Sequence, residues 1–586
     1  MDIFNILSLV GGLALFLYGM DLMGDSLKKL AGGKLESILA KLTSNKIKGF
    51  ILGLVVTAVI QSSSATTVML VGFVNSGIMT LGQTISIIMG ANVGTTVTAF
   101  LLSTADIHGA AIILKLLKPE SFTPILAIIG LIMTMTAKNE SKKNTGTILI
   151  GFAILMFGMN AMSGAVSGLR DNEAFTNILT MFSNNPVMGI IVGTLFTAII
   201  QSSSASVGVL QALAISCVIP YSTAIPVILG QNIGTTITPI ISALSGNTES
   251  KRVAFSCLYI KMIGVIVVSG VFYIINHFVP FSFMTAKVTA FDIAVVHFVF
   301  NILSTVILIP FTKSIEKLAV KTIKASATDK ELDVFDTLDD RFLDMPSFAV
   351  EKSKDLVCEM AKISFDTFVQ ATTLLDNFDY DKFEDIKKYE SLVDKYEDKT
   401  STYLVKIAAN NVSAKDSKIV TELLHCIGDI ERISDHALNI AETAKEIFDK
   451  KIDFSKEAKE GIEVIKNAVT EILELSLKTL VEDDIEAAKM VEPLEQVIDR
   501  INRHIKNGHI SRLRQGDCTM ELGFILSDLL TNYERVSDHC SNIAVCFIEI
   551  HNDSFERHEY LNHVKNDGGK EFGALYEAFK TKYYID

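Results

Sequence analysis

The chain of 586 residues has seven cysteines, at positions 217, 257, 358, 426, 518, 540 and 546, with no Cys-x-x-Cys or Cys/His ligand spacing. An odd, unpatterned set argues against a disulfide framework and suits a reducing cytosol, with the thiols acting as small buried hydrophobes. No Gly-x-x-x-x-Gly-Lys-Ser/Thr string is present, which argues against nucleotide-driven pumping. No basic stretch precedes the apolar run from Ile3, and that run is long enough to span, so a cleavable leader is not expected. Charge is scarce in the front half: residues 1–325 carry 20 Lys+Arg and 12 Asp+Glu, a net of +8, and the remainder carries 33 and 54, a net of -21. The two regions therefore meet different solvents, lipid first and water second.

What the front half does have is apolar sequence of spanning length. Stretches near 3–23, 82–103, 121–137, 145–165, 222–244, 253–279 and 285–311 are long enough, or nearly so, to cross about 30 Å of hydrocarbon. Two others, near 49–78 and 189–218, are cut at the middle by Gln-Ser-Ser-Ser. A backbone broken at membrane depth must line protein or water, so both read as re-entrant hairpins.

These interruptions form a repeat. QSSSATT at Gln61 to Thr67 returns as QSSSASV at Gln201 to Val207, and GANVGTT at Gly90 to Thr96 returns as GQNIGTT at Gly230 to Thr236, both 140 residues on. Gly49, Gly53, Thr57 and Ala58 recur at the same offset as Gly189, Gly193, Thr197 and Ala198. Lys28, Lys29, Lys34, Lys41, Lys46 and Lys48 mark one inside loop; Lys138, Lys142 and Lys143, Lys251 with Arg252, and Lys313 with Lys317 mark others. The loop around Arg170, with Asp171 and Glu173, reads as outside. With each hairpin counted as no net crossing, the first half contributes three spans, an odd number, so the second repeat is inserted upside down. The hydroxyls, amides and broken helix ends offer N–H donors to an anion such as phosphate and oxygen ligands to a cation such as sodium. The strings hold no Lys, Arg, Asp or Glu, so bound anion and cation would balance each other, a physical route to symport. A duplicated fold building one polar site points to a transporter.

The doubled QSSS, the following GxNxGTT segments and AVVHFVFN at Ala294 to Asn301 resemble the type II sodium/phosphate cotransporter family over roughly residues 1–311. The resemblance implies that sodium and inorganic phosphate bind between the hairpin tips. Gln61, Ser62, Ser63 and Ser64 would face Gln201, Ser202, Ser203 and Ser204 around phosphate, and Thr66, Asn92, Thr95, Thr96, Asn232, Thr235 and Thr236 would complete the phosphate and sodium shells. The family's AxxHxxFN-like string occurs once here; the earlier position reads AFSCLYIK, with Cys257 and Lys261 where His297 and Asn301 stand later. Lys261 either adds positive charge near the pathway or snorkels to the cytoplasmic face. Snorkelling is favoured, because an inside loop lies two to three turns away. His297 reads as a helix-packing hydrogen bonder rather than a proton relay.

From Lys313 the chain becomes charged. A Lys-rich juxtamembrane helix (Lys313, Lys317, Lys321, Lys324) and an acidic connector from Asp329 to Asp344 lead into amphipathic helices with almost no Gly or Pro. A second duplication pairs ERISDHALNIA at Glu431 to Ala441 with ERVSDHCSNIA at Glu534 to Ala544, 103 residues on. Four Glu-x-x-x-Asp pairs, Glu390 with Asp394, Glu431 with Asp435, Glu495 with Asp499 and Glu534 with Asp538, put both carboxylates on one helix face. They could converge on a hard cation such as iron, manganese, magnesium or calcium, or pair with Arg and Lys neighbours on solvated faces. This unit resembles the PhoU family over roughly 345–550, and that resemblance implies metal clusters on the Glu-x-x-x-Asp faces.

The expected fold is all-α: a polytopic membrane domain at 1–311 of two inverted repeats (about 1–138 and 145–311) with re-entrant hairpins, a juxtamembrane helix and connector at 312–344, a cytosolic PhoU-like bundle of two three-helix repeats at 345–550, and a tail at 551–586. The expected function is sodium-coupled phosphate symport across the cytoplasmic membrane, modulated by the PhoU-like domain. The alternatives are phosphate export and a membrane-anchored signalling scaffold without transport. Asp435-His436 and Asp538-His539 have no nucleophile spacing, so no enzyme is expected. Expected partners are phosphate, sodium and membrane lipid, a second copy in a homodimer, and phosphate-signalling proteins, with no nucleic acid. Sodium is the expected co-transported ion, and the PhoU resemblance implies a divalent or ferric metal in that domain, the alternative being that its carboxylates are only architectural.

Overall fold

The computed structural model describes residues 3–31, 45–106, 119–169, 181, 183, 185–324, 333–410, 412–551 and 570–584. Lys34, Lys41, Arg170, Asp171, Glu173, Asp329 and most of the tail after His551 lie outside the described residues. The chain divides into two compact units, Met1–Met345 and Pro346–Asp586.

The described helices of the first unit are α1 (Ile3–Ala31), α2 (Lys46–Ile60), α3 (Ser63–Asn75), α4 (Leu81–Ser103), α5 (Pro119–Thr136), α6 (Glu140–Val166), α7 (Pro186–Ile200), α8 (Ser203–Ser216), α9 (Tyr221–Gly234), α10 (Ile237–Ala243), α11 (Thr248–Phe278), α12 (Ala290–Leu308) and α13 (Thr312–Thr322). Among the described residues six spans, Ile3–Leu30, Leu81–Asp106, Glu140–Leu169, Tyr221–Ala243, Thr248–Phe278 and Ala290–Thr322, are long and apolar enough to cross a membrane. The stretch expected to cross at 121–137 is α5, whose apolar part Ser121–Thr136 falls short of that length.

Arms α2 and α3 have 15 and 13 residues, about 20 Å each, too short to cross alone. They fold back on each other: Thr57 Oγ1 lies 3.1 Å from Thr66 Oγ1, and the repeat-related Thr197 Oγ1 lies 2.7 Å from Ser206 Oγ on α7 and α8. Each first arm packs on the helix after its hairpin, α2 on α4 and α7 on α9. The backbones touch, because a Cβ at Gly90 would lie 1.9 Å from the Phe50 carbonyl oxygen and one at Gly230 would lie 2.0 Å from that of Ile190. Only glycine permits this approach.

The second arms leave toward opposite ends of α11. At its start, Asn247 N donates to Asn75 Oδ1 (2.9 Å) and Asn247 Nδ2 to the Asn75 carbonyl (3.0 Å), which fixes the end of α3 there. Beyond its other end, Tyr221 N donates to Ala286 O and Val288 N to Ile219 O, which holds the segment after α8 there. The chain after α13 returns to the first end. Phe342, fully buried, packs its ring on Phe73 with centroids 5.4 Å apart, and Asp339 accepts from Asn75 Nδ2 at 2.9 Å and pairs with Arg341 at 2.9 Å.

The second unit is α14 (Pro346–Thr373), α15 (Tyr380–Ala408), α16 (Ala414–Lys450), α17 (Lys456–Glu482), α18 (Ile485–Gln515), α19 (Met520–His551) and α20 (Lys570–Lys582). Apolar residues at helical spacing, such as Ile430, Ile433, Ala437 and Ile440 on α16 and Tyr533, Val536, Cys540 and Ile543 on α19, form the buried faces. Between α16 and α19, His436 and His539 stack with centroids 5.6 Å apart. His436 Nδ1 meets Asn532 Oδ1 and His539 Nδ1 meets Asp429 Oδ1, both at 2.8 Å. These histidines join the two repeats.

Candidate functional site

Each hairpin breaks where its sequence changes from apolar to hydroxyl-rich. Arm α2 ends at Gln61 with φ +61°, and α7 ends at Gln201 with φ +59°, both left-handed. Ser62 and Ser202 are extended N-caps whose Oγ atoms accept from Ala65 N (3.1 Å) and Ala205 N (3.2 Å). The first-turn amides of α3 and α8 consequently point out of the helices with no helical carbonyl to bond.

Both tips open into one cavity of about 390 Å³ lined by Gln61, Ser62, Ser63, Ser64, Gln201, Ser202, Ser203 and Ser204. This is far more than the roughly 10–15 Å³ one water needs. Helix α1 closes a side with Leu17, Met20, Asp21, Gly24, Asp25 and Lys28, and Ile60 and Ile200 complete the wall. The site therefore carries fixed charge: Lys28 Nζ pairs with Asp25 Oδ1 at 3.2 Å, and Asp21 is a second carboxylate. Sequence reasoning missed α1. The available signal was an acidic residue deep in an apolar run, which is expensive without a role. It also missed Thr98, whose Oγ1 donates to Gln61 Oε1 at 2.8 Å; Thr238 follows it by 140 residues and reaches the Gln201 carbonyl at 3.4 Å.

The other expected ligands do not line this cavity. Thr66, Thr95, Thr96, Asn232, Thr235 and Thr236 donate to the helix carbonyls of Ser62, Ala91, Val93, Ile228, Asn232 and Ile233, and Asn92 is buried. His297 Nε2 sits 3.4 Å from Asn232 Oδ1, in a helix-packing position. Lys261 does not snorkel: it is 7% exposed, on the inward face of α11 close to Cys257 and His297. Distance along the helix to a loop did not reveal that this face packs against neighbours.

In the second unit two groups converge, Glu390 with Asp394 and Asp435, and Glu495 with Asp499 and Asp538, each offering carboxylate oxygens within 4.8 Å of one another. Glu431 and Glu534 are not in these groups; Glu534 instead accepts from Asn502 and lies 3.5 Å from Lys506 Nζ. Burial, then the charge of Asp394, raises the Glu390 pKa, and burial, then Asp435, raises that of Asp394. Burial, then Glu534, raises Asp499, and burial, then Asp499, raises Asp538. Two clusters of mutually repelling hard oxygen donors fit a di- or trivalent cation.

Comparison with known proteins gives matches across both units. The Na+/Pi-cotransporter family model matches residues 15–164 and 166–323, and the PhoU domain matches 357–444 and 462–546. A Salmonella typhimurium protein named for inorganic phosphate export, YjbB, is 22% identical over 565 residues, 95% of this chain and 100% of its own length. YqeW of Bacillus subtilis is 29% identical over 297 residues, 51% of this chain and 91% of its own. Sodium-dependent phosphate transport protein 2A of Rattus norvegicus is 39% identical over 93 residues, 15% of this chain and 14% of its own. With more than half of its length matched by that one family model, and a PhoU match after it, the chain belongs to the Na+/Pi-cotransporter family.

Proposed function

We propose that the chain is a multi-pass membrane transporter of inorganic phosphate, coupled to sodium, that works by alternating access between two oppositely inserted repeats. The observation that carries this reading is the one cavity lined by both Gln-Ser-Ser-Ser strings. The outward amides of α3 and α8, with the hydroxyls of Ser62, Ser63, Ser64, Ser202, Ser203 and Ser204 and the amides of Gln61 and Gln201, supply donors to a phosphate. The carbonyl ends of α2 and α7 supply oxygen to sodium. Thr66, Asn92, Thr95, Thr96, Asn232, Thr235 and Thr236 hold the surrounding helices and would join the sodium shells when those helices part. The opposite exits of α3 and α8 favour inverted re-entrant hairpins, one opening to each side. A cotransporter family leaves no place for an enzymatic role.

The second unit would lie in the cytosol as a regulator, with metal held by Glu390, Asp394 and Asp435 and by Glu495, Asp499 and Asp538. That metal would cross-link helices by binding carboxylates that otherwise repel one another. Homodimerisation and phosphate-signalling partners belong to this reading through the PhoU match.

Proteoliposomes containing the chain should accumulate labelled phosphate when sodium is imposed outside. Equal accumulation with potassium or choline would remove sodium coupling, and no accumulation in any salt would remove transport. A second reading, net export, is favoured by the match of both units to a protein named for phosphate export. Vesicles loaded with phosphate and given sodium on either face decide between them.

A further inference from the structure

The polar strings are uncharged, but the cavity they share is not. Leu17, Met20, Asp21, Gly24, Asp25 and Lys28 form one stripe of α1 at helical spacing, and all six face the cavity. At Gly24 the stripe runs beside the end of the hairpin's first arm, where a Cβ would be in ordinary contact, 3.5 Å, with the Ile60 carbonyl oxygen. Asp25 and Lys28 neutralise each other. Lys28, the one cation among the lining residues, is paired with Asp25 and also lies within reach of Asp21, so two carboxylates share one ammonium and the cavity's fixed charge is one negative.

An anion site with a resident carboxylate is self-defeating unless a cation arrives with the anion. Phosphate entering alone meets like charge on the wall, at the exposed Asp21 carboxylate, whereas phosphate entering with a monovalent cation meets a neutralised wall. Resting on the phosphate and sodium reading above, we propose that Asp21 is the coupling carboxylate of the cavity: it rejects phosphate alone and admits phosphate that comes with sodium. The coupling is reciprocal, as any linkage between two ligands must be, so phosphate should tighten sodium to the same degree.

The test is labelled inorganic phosphate binding to the purified full chain in detergent, in sodium and in choline. Wild type should lose roughly tenfold or more in affinity when choline replaces sodium. Asp21→Asn should bind phosphate about equally in both salts, because the repulsion and the cation ligand disappear together. Asp21→Glu should keep the sodium requirement with a half-saturating sodium concentration shifted about fivefold or more. Retention of the wild-type sodium requirement by Asp21→Asn overturns the inference and leaves the transport reading intact. So does an Asp21→Asn protein that is monodisperse yet binds no phosphate in either salt. If Asp21→Asn fails to fold, an unshifted sodium dependence in Asp21→Glu overturns it. Wild type binding phosphate in neither salt, or equally in both, removes the parent reading instead.

Discussion

Thr98 Oγ1 donates a 2.8 Å hydrogen bond to the Gln61 side-chain carbonyl, and the same residue one repeat later, Thr238, reaches only the Gln201 backbone carbonyl, at 3.4 Å. Gln61 is consequently buried and tethered, its amide nitrogen bonded to the Ala58 carbonyl. Gln201 is exposed to the cavity. Two glutamines that open the same Gln-Ser-Ser-Ser-Ala string thus stand in different states, one held and one free to turn toward a ligand.

This asymmetry makes the two threonines unequal. Thr98→Val leaves the Gln61 carbonyl unpaired, which costs about 1–3 kcal/mol, and should lower phosphate uptake in proteoliposomes by roughly tenfold or more. Thr238→Val should change uptake less than about twofold, because its contact is long and ends on backbone. Equal effects from the two would show that the tether is immaterial.

Gln61 and Gln201 both adopt left-handed backbone that glycine would adopt more readily, at a penalty of roughly 1–2 kcal/mol each. Gln201→Gly should therefore unfold at the same temperature as wild type or higher, and yet lose nearly all uptake. Thermal unfolding in detergent and vesicle uptake, measured on the same preparation, separate the side chain's role from the turn's.

Phe342 is a fully buried aromatic reached from outside the helical spans. Phe342→Ala should destabilise the first unit by about 3–5 kcal/mol, visible as a lower melting temperature. Phe342→Leu should recover most of the loss.

Metal analysis of the purified chain should find di- or trivalent cations. Asp394→Asn and Asp499→Asn should each remove about half, since they lie in separate clusters. Loss of all metal from either single variant would mean one shared site.

Glu422, buried beside Lys354 and Asp483, has its pKa pushed up to about 7, chiefly by burial. The folded form holds this proton more tightly than the unfolded chain, so the associated stability is full below the unfolded value near 4.5 and is lost as pH rises through about 7. Glu422→Gln should stabilise the chain at about pH 8 by up to roughly 3 kcal/mol. The gain should vanish near the unfolded pKa, as followed by melting across pH.

The tips of both hairpins were readable because a polar string has few reasons to recur at a fixed offset inside apolar sequence, and the cavity joins them. Asp21 was not, because contact between α1 and the hairpins is long-range and no local pattern encodes it. The hydroxyls of Thr95, Thr96, Thr235 and Thr236 looked like ligands, but threonine in a helix satisfies itself on the preceding turn. In the second unit, the Glu-x-x-x-Asp spacing identified all members of the two carboxylate groups. Only tertiary packing decided that Glu534 would turn to Asn502 and Lys506 instead.

The bare backbone contacts at Gly90 and Gly230 have a mechanical consequence. With no side chains between them to slide or change rotamer, α2 with α4 and α7 with α9 each behave as a single welded lever. Under the alternating access proposed above, opening and closing of the cavity would be taken up at joints made by side chains, and a bulkier residue at either glycine would jam a lever rather than loosen it.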